Sequence, residues 1–167
     1  MAKKAFKMTI YATKRDPSKI SKEAKENVDF LLDTKSLPRL LESSDFVVNI
    51  CPLVEDTLNM FNKETFSKMK KGAVFINIGR GKSVVEDDLI DALKMGKLGG
   101  AYLDVTYEEP LPKDSPLWDL ENCYITPHTM CFNVKFEALV ISNFEENIKR
   151  YTSGEELENI VDNHKGY

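Results

Sequence analysis

The sequence predicts an α/β domain built on a mainly parallel β-sheet. Two observations carry this: six short apolar runs that are nearly continuous rather than alternating, and amphipathic helical segments lying between most of them. The runs are Met8–Ala12, Val28–Leu32, Asp45–Ile50, Ala73–Ile78, Gly100–Val105 and Cys123–Ile125. Their continuity is what strands covered on both faces show.

The helices follow in order. Ser36–Ser43 places Leu37, Leu40 and Leu41 at i, i+3 and i+4. Lys63–Lys70 presents Phe66 and Met69 and ends in Lys70-Lys71-Gly72. Glu86–Met95 presents Leu89, Ile90 and Leu93 and stops at Gly96. Cations in a last turn followed by glycine are a helix C-terminal signal. From about Phe132 to Arg150 one longer helix carries Phe136, Leu139, Val140, Asn143, Phe144 and Ile148 on a stripe. No internal repeat or low-complexity linker interrupts the chain.

Composition narrows the class further. The chain has 167 residues, 42% hydrophobic and 30% charged, which suits one globular domain. A net charge of −4 gives no global basic footprint, so nucleic acid and anionic membrane are not expected partners. The longest apolar runs fall far short of the roughly 20 residues of a membrane span. Met1–Lys7 has positive charge but no apolar segment behind it, unlike a signal peptide. Three cysteines without C-x-x-C spacing read as reduced thiols, and a cytoplasmic location is expected.

Ligands of parallel α/β sheets bind at the carboxyl ends of the strands. Three residues stand out there. Arg80 lies between Gly79 and Gly81 after Ile76-Asn77-Ile78. Glu109 follows Leu103-Asp104-Val105 and precedes Pro110, and His128 follows Ile125-Thr126-Pro127. Taken singly, each also fits a bland role: a surface cation, a solvated acid, a structural histidine. Together, at successive strand ends, they can converge on one site.

The motifs Ile76-Asn77-Ile78-Gly79-Arg80-Gly81, Leu103-Asp104-Val105-Thr106-Tyr107-Glu108-Glu109-Pro110-Leu111-Pro112 and Thr126-Pro127-His128 resemble, in order and spacing, the D-isomer-specific 2-hydroxyacid dehydrogenases. Cys51-Pro52-Leu53-Val54-Glu55-Asp56-Thr57 is similar to that family's proline-leucine loop, and Asn159–Tyr167 to its C-terminus. The resemblance implies a Rossmann-type, doubly wound sheet. It also implies hydride transfer between NAD(P) and a small 2-hydroxy or 2-keto acid, of which glyoxylate and hydroxypyruvate are the favoured class.

By this resemblance His128 is the acid/base, Glu109 orients it and favours its protonated form, and Arg80 binds the substrate carboxylate and polarises its carbonyl. Asp104 would accept from the nicotinamide carboxamide, and Pro52, Thr57, Ile78 and Gly79 would line the cofactor. Pro52 and Ile78 also fit plain packing roles. NAD-using relatives place an acid after the second strand of the fold to hold the ribose hydroxyls. Here that place falls on Lys14, followed by Arg15, and two cations favour the 2′-phosphate of NADP over NAD. A two-residue shift of the alignment would instead make Asp16 the acid.

The family's G-x-G-x-x-G loop and first strand are not in this sequence, so an incomplete Rossmann-type sheet is expected: residues 1–167 as a partial nucleotide-binding domain, with 132–167 forming a C-terminal helix and tail that would return to a substrate domain. Met1–Lys7 corresponds to the helix after that loop, and the chain reads as the C-terminal half of such an enzyme, begun at an internal methionine. The strands Met8–Ala12 and Asp45–Ile50 should each lack a neighbour, and the stripe from Phe136 to Ile148 should be exposed or repacked. Thr129-Met130-Cys131-Phe132 departs from the small residues that usually follow the histidine. Homodimers are common in the family. The competing expectation is a truncated non-catalytic paralogue or a dinucleotide-sensing interaction module.

Overall fold

A computed structural model of the protein describes residues 2–131 and 135–162. Two parallel sheets carry the architecture. The smaller pairs β1 (Tyr11–Thr13) with β2 (Phe30–Leu32), and the larger runs β3 (Phe46–Asn49), β4 (Ala73–Asn77), β5 (Leu98–Leu103) and β6 (Cys123–Ile125) in sequence order. The helices are α1 (Ala2–Phe6), α2 (Lys22–Glu26), α3 (Leu37–Ser43), α4 (Lys63–Lys68), α5 (Glu86–Lys94) and α6 (Phe136–Ser153). The order β2–β1, then β3–β4–β5–β6, is the doubly wound series without its central strand. Among the described residues, β1 and β3 each pair on one side only.

Local chemistry explains the boundaries. Lys7 turns left-handed after α1, with φ 53°. The pairing of β1 then opens at Ile10, whose carbonyl accepts from the Asp29 and Phe30 N–H groups and whose N–H donates to Asp29 Oδ2. The first strand is therefore shorter and later than Met8–Ala12. Gly72 and Gly96, with φ 80° and 65°, turn the chain after α4 and α5 as their sequence positions suggest. Asn62 caps α4 by accepting from the Glu64 and Thr65 N–H groups. The last helix runs past Arg150 to Ser153 and stops at Gly154, φ 75°. Phe132, the expected start of that helix, and the tail from Asn163 lie outside the described residues.

Register sorts the large sheet into two faces. Val47, Phe75, Ala101 and Cys123 align in one row, and Asn49, Asn77, Leu103 and Ile125 in the next row of the same face. This face meets Leu41 of α3, Phe66 of α4 and Leu89, Ile90 and Leu93 of α5. Phe61, Phe66 and Phe75 form its aromatic centre, with centroids 4.7–6.3 Å apart; each such pair adds about 0.5–1.5 kcal/mol beyond burial.

The opposite face corrects the expectation of strands covered on both sides. Phe46, Val48, Tyr102 and Tyr124 are each about half exposed, and the two tyrosine rings stack at 4.7 Å. No residue of α6 is buried; Leu139, Val140, Ile141, Phe144 and Ile148 face solvent, as the stripe suggested. The runs look continuous because both faces are apolar, but only one finds a helical layer.

Candidate active site

The carboxyl ends of β4, β5 and β6 bring the expected residues together in stages. Glu109 and His128 meet directly, Oε2 lying 2.8 Å from Nδ1, in a hydrogen-bonded contact that solvent still reaches. The other carboxylate oxygen of Glu109 accepts from the Thr106 N–H at 3.1 Å, which fixes the acid beside the strand end. With Nδ1 engaged, Nε2 is the ring nitrogen left to act on a ligand. A cavity of about 460 Å³ opens beside the pair, lined by apolar Leu111, Trp118, Ile125 and Pro127 together with Asp104 and the pair itself.

The backbone of His128 is left-handed, with φ 53°. A non-glycine residue there needs surroundings that over-determine it. Asp104, buried at the end of β5, supplies them. Its Oδ1 accepts from the Thr126 hydroxyl at 2.5 Å and the Thr129 N–H at 2.9 Å, and its Oδ2 from the Met130 N–H at 3.0 Å. Burial alone would raise the Asp104 pKa; the hydrogen bonds from Thr126, Met130 and Thr129, with charge on His128, outweigh it and hold the carboxyl below its usual value. The carboxylate that sequence assigned to a cofactor thus spends most of its acceptor capacity on the turn that carries His128.

Arg80 stands apart from the cavity lining. It is exposed, and its Nη1 donates to the Gly79 carbonyl at 2.8 Å. Its turn nevertheless presses on the same strand end: a Cβ on Gly81 would lie 1.7 Å from the Thr106 carbonyl oxygen, so only glycine lets the two backbones approach. A Cβ on Gly79 would likewise meet the Cys51 carbonyl at 2.9 Å. The loop after β3 is braced internally by Thr57, whose hydroxyl donates to the Pro52 carbonyl at 2.7 Å and accepts from the Val54 N–H at 2.8 Å. Pro52 and Ile78 flank this region without a polar side-chain role.

The two cations lie on the smaller sheet. Lys14 donates to the Lys19 carbonyl, and Arg15 pairs with Asp56 at 3.3 Å in an exposed contact. That contact joins the end of β1 to the loop carrying Pro52 and Thr57. Asp16 is turned to the Ser18 N–H and hydroxyl. Sequence reasoning missed Asn49, Asn77 and Ser83, which are fully buried beneath the Arg80 turn. Their signal was present: an asparagine stands one residue before the end of two successive apolar runs, Asp45–Ile50 and Ala73–Ile78. Among the described residues no group of three or more His, Cys, Asp or Glu side chains could hold a metal ion.

Residues 1–129 match the sequence family described as D-isomer specific 2-hydroxyacid dehydrogenase, NAD binding domain. Human glyoxylate reductase/hydroxypyruvate reductase is 50% identical over 103 residues, covering 62% of this chain and 31% of that protein. A hydroxypyruvate reductase of Blautia hydrogenotrophica is 40% identical, over 68% of this chain and 36% of that one. Among solved structures, a D-isomer specific 2-hydroxyacid dehydrogenase from Xanthobacter autotrophicus, in complex with NADPH and MES, superposes with a TM-score of 0.85 at 35% identity, covering 96% of this chain and 63% of that one. An NADPH-dependent glyoxylate/hydroxypyruvate reductase from Sinorhizobium meliloti, in complex with NADP and sulfate, gives 0.85 at 36% identity, with 98% and 51% covered. The chain spans about a third of the length of these curated relatives.

Proposed function

Because this chain belongs to the D-isomer specific 2-hydroxyacid dehydrogenase family, we propose that it provides the nucleotide-binding and proton-transfer part of an NADP-dependent reductase of small 2-keto acids, of the glyoxylate or hydroxypyruvate class. The observation that carries this reading is the Glu109–His128 pair, 2.8 Å apart at the mouth of the cavity. Glu109 accepts a hydrogen bond from Nδ1–H, so Nε2 of the protonated ring donates its proton to the oxygen that becomes the hydroxyl. The carboxylate of Glu109 offsets the imidazolium charge before transfer. Arg80, permanently charged and solvent-reachable, binds the substrate carboxylate through its planar fork.

The residues present fit a dinucleotide. Gly79, packed against the Cys51 backbone, draws the turn after β4 and the loop after β3 together at the strand ends, and the Arg15–Asp56 contact is an exposed one of small net worth, so a phosphate can compete with Asp56 for the guanidinium. Lys14 and Arg15 would take the 2′-phosphate, which favours NADP, with NAD still admitted. Pro52, Thr57, Ile78 and Gly79 would border the cofactor, and Asp104 would offer its remaining acceptor position to the carboxamide. The nicotinamide, when bound, supplies the hydride.

Titration of the chain with NADPH and NADH tests this, read by fluorescence of Trp118, the sole tryptophan and a cavity residue. NADPH should bind about tenfold tighter than NADH, and replacing both Lys14 and Arg15 by Ser should erase the difference. A folded chain that binds neither dinucleotide would refute the reading. The exposed apolar face and α6 would then favour the second one, a non-catalytic interaction module.

A further inference from the structure

The two asparagines that face each other across β3 and β4 sit where the same row continues as Leu103 and Ile125, so packing alone does not require amides there. Asn49 and Asn77 are 2% and 1% exposed. Burying amides in a sheet interior is costly unless each polar atom finds a partner, and here each does. Asn49 Nδ2 donates to Asn77 Oδ1 at 2.9 Å and to Ser83 Oγ at 2.7 Å, while its Oδ1 accepts from the Cys51 N–H at 3.1 Å. Asn77 Oδ1 also accepts from the Gly79 N–H at 3.2 Å, and its Nδ2 donates to the Arg80 carbonyl at 3.3 Å. Ser83 passes the chain on, its hydroxyl donating to the same carbonyl at 2.6 Å.

One side chain, Asn77, thus grips the Ile78–Gly79 and Arg80–Gly81 peptides and so spans the turn that carries Arg80. Asn49 grips the loop after β3 through Cys51 and the Arg80 turn through Asn77 and Ser83. We infer that Asn49 and Asn77 are positioning residues that set the Arg80 peptide and couple it to the loop after β3. The inference rests on Arg80 as the carboxylate ligand, and it predicts that whatever shifts the Cys51 loop also shifts the substrate arginine. The direction of the bonds gives it a sharp test. An aspartate at 77 keeps the shape and both acceptor contacts but sets an acceptor against the Arg80 carbonyl, where only a donor fits.

The experiment is amide NMR on the full chain carrying Asn77→Asp or Asn49→Asp. Ser83→Ala removes one link only and serves if the aspartates unfold. The expected result is movement of the Gly79, Arg80 and Cys51 resonances together, with Tyr102 and Tyr124 unmoved, and amide exchange at Cys51 and Ser83 at least tenfold faster. Oxalate, a small dicarboxylate probe, should bind at least tenfold more weakly to Asn77→Asp than to the parent, both measured well below the variant's own thermal midpoint. A Cys51 resonance that stays in place when Arg80 moves in every variant that folds would overturn the coupling. Oxalate binding that survives Asn77→Asp but not Arg80→Ala would overturn the positioning role. Should Arg80→Ala bind oxalate as the parent does, the assignment of Arg80 fails instead, and the resonance shifts alone decide the coupling.

Discussion

Replacing Asp104 by Asn removes the charge from the anchor of the His128 turn while leaving its volume in place. The carboxylate accepts three hydrogen bonds, from Thr126, Thr129 and Met130. In the Asn variant Oδ1 keeps the first two as neutral bonds, but Nδ2 confronts the Met130 N–H, donor against donor. A hydrogen bond to a charged group contributes about 1.5–3 kcal/mol and a buried unsatisfied donor costs about 1–3 kcal/mol, so a loss of about 3 kcal/mol is expected at pH 7. The pH dependence has a fixed sign. The folded carboxyl lies below its usual value of 3.8, so its contribution is complete above that value and disappears as pH falls through the folded pKa. Urea unfolding of the parent and of Asp104→Asn should therefore differ most at neutral pH and converge as the medium becomes strongly acidic. A difference under about 0.5 kcal/mol at pH 7, or one that persists unchanged in acid, would refute the reasoning.

The close approach at Gly81 gives a second expectation. In Gly81→Ala the new Cβ meets backbone atoms of Thr106 at 1.7 and 2.1 Å, which no rotamer can relieve; a loss at or above the usual overpacking cost of about 1–3 kcal/mol is expected, whereas Gly100→Ala, whose Cβ meets only the Asn122 carbonyl at 3.2 Å, should cost far less by the same urea assay. The cysteines should separate kinetically. Burial, with some help from the charge of Glu86, pushes the Cys123 thiol up to about 11, and burial raises Cys51 as well, while Cys131 is exposed. Iodoacetamide at pH 8, followed by peptide mass spectrometry, should label Cys131 at least tenfold faster than Cys123, since so few Cys123 thiols are ionised; equal rates would contradict the burial assigned to Cys123.

How far the sequence reached depended on whether a signal was local. Glycines at helix ends and the Phe66–Met69 and Leu89–Leu93 spacings depend on near neighbours, and the structure realises each of them; the motifs at strand ends fall where expected, with Glu109 and His128 in contact and Arg80 apart from the cavity lining. The short helix α2 was not legible: it is polar, without an apolar period, and is held by Ser21, whose hydroxyl accepts from the Ala24 N–H. Long-range choices were also hidden. Nothing near Arg15 indicates Asp56 as its partner, and nothing near Asp104 shows that Thr126, Thr129 and Met130 will close on it. Apolarity in Phe46-Val47-Val48 says that burial is favourable, but not that only Val47 obtains it.

The distribution of support across the two sheets bears on how the site would respond to a ligand. The Glu109–His128 pair stands at the ends of β5 and β6 in the four-stranded sheet that carries the main hydrophobic core, where opening requires breaking that core. Lys14 and Arg15 stand on a two-stranded sheet, and an isolated pair of strands is marginal in water. Here it is tied down by Asp29 to Ile10 and Lys3, and by the exposed Arg15–Asp56 contact. Local opening is drawn from such regions of few buried contacts. A dinucleotide phosphate that took Arg15 from Asp56 would therefore have to order the β1–β2 unit at the same time. Part of the intrinsic affinity would be consumed in doing so, lowering the apparent affinity by the fraction of chains already ordered. Discrimination between NADPH and NADH and protection of the Tyr11–Thr13 amides from exchange should then rise together, because both report the same ordering.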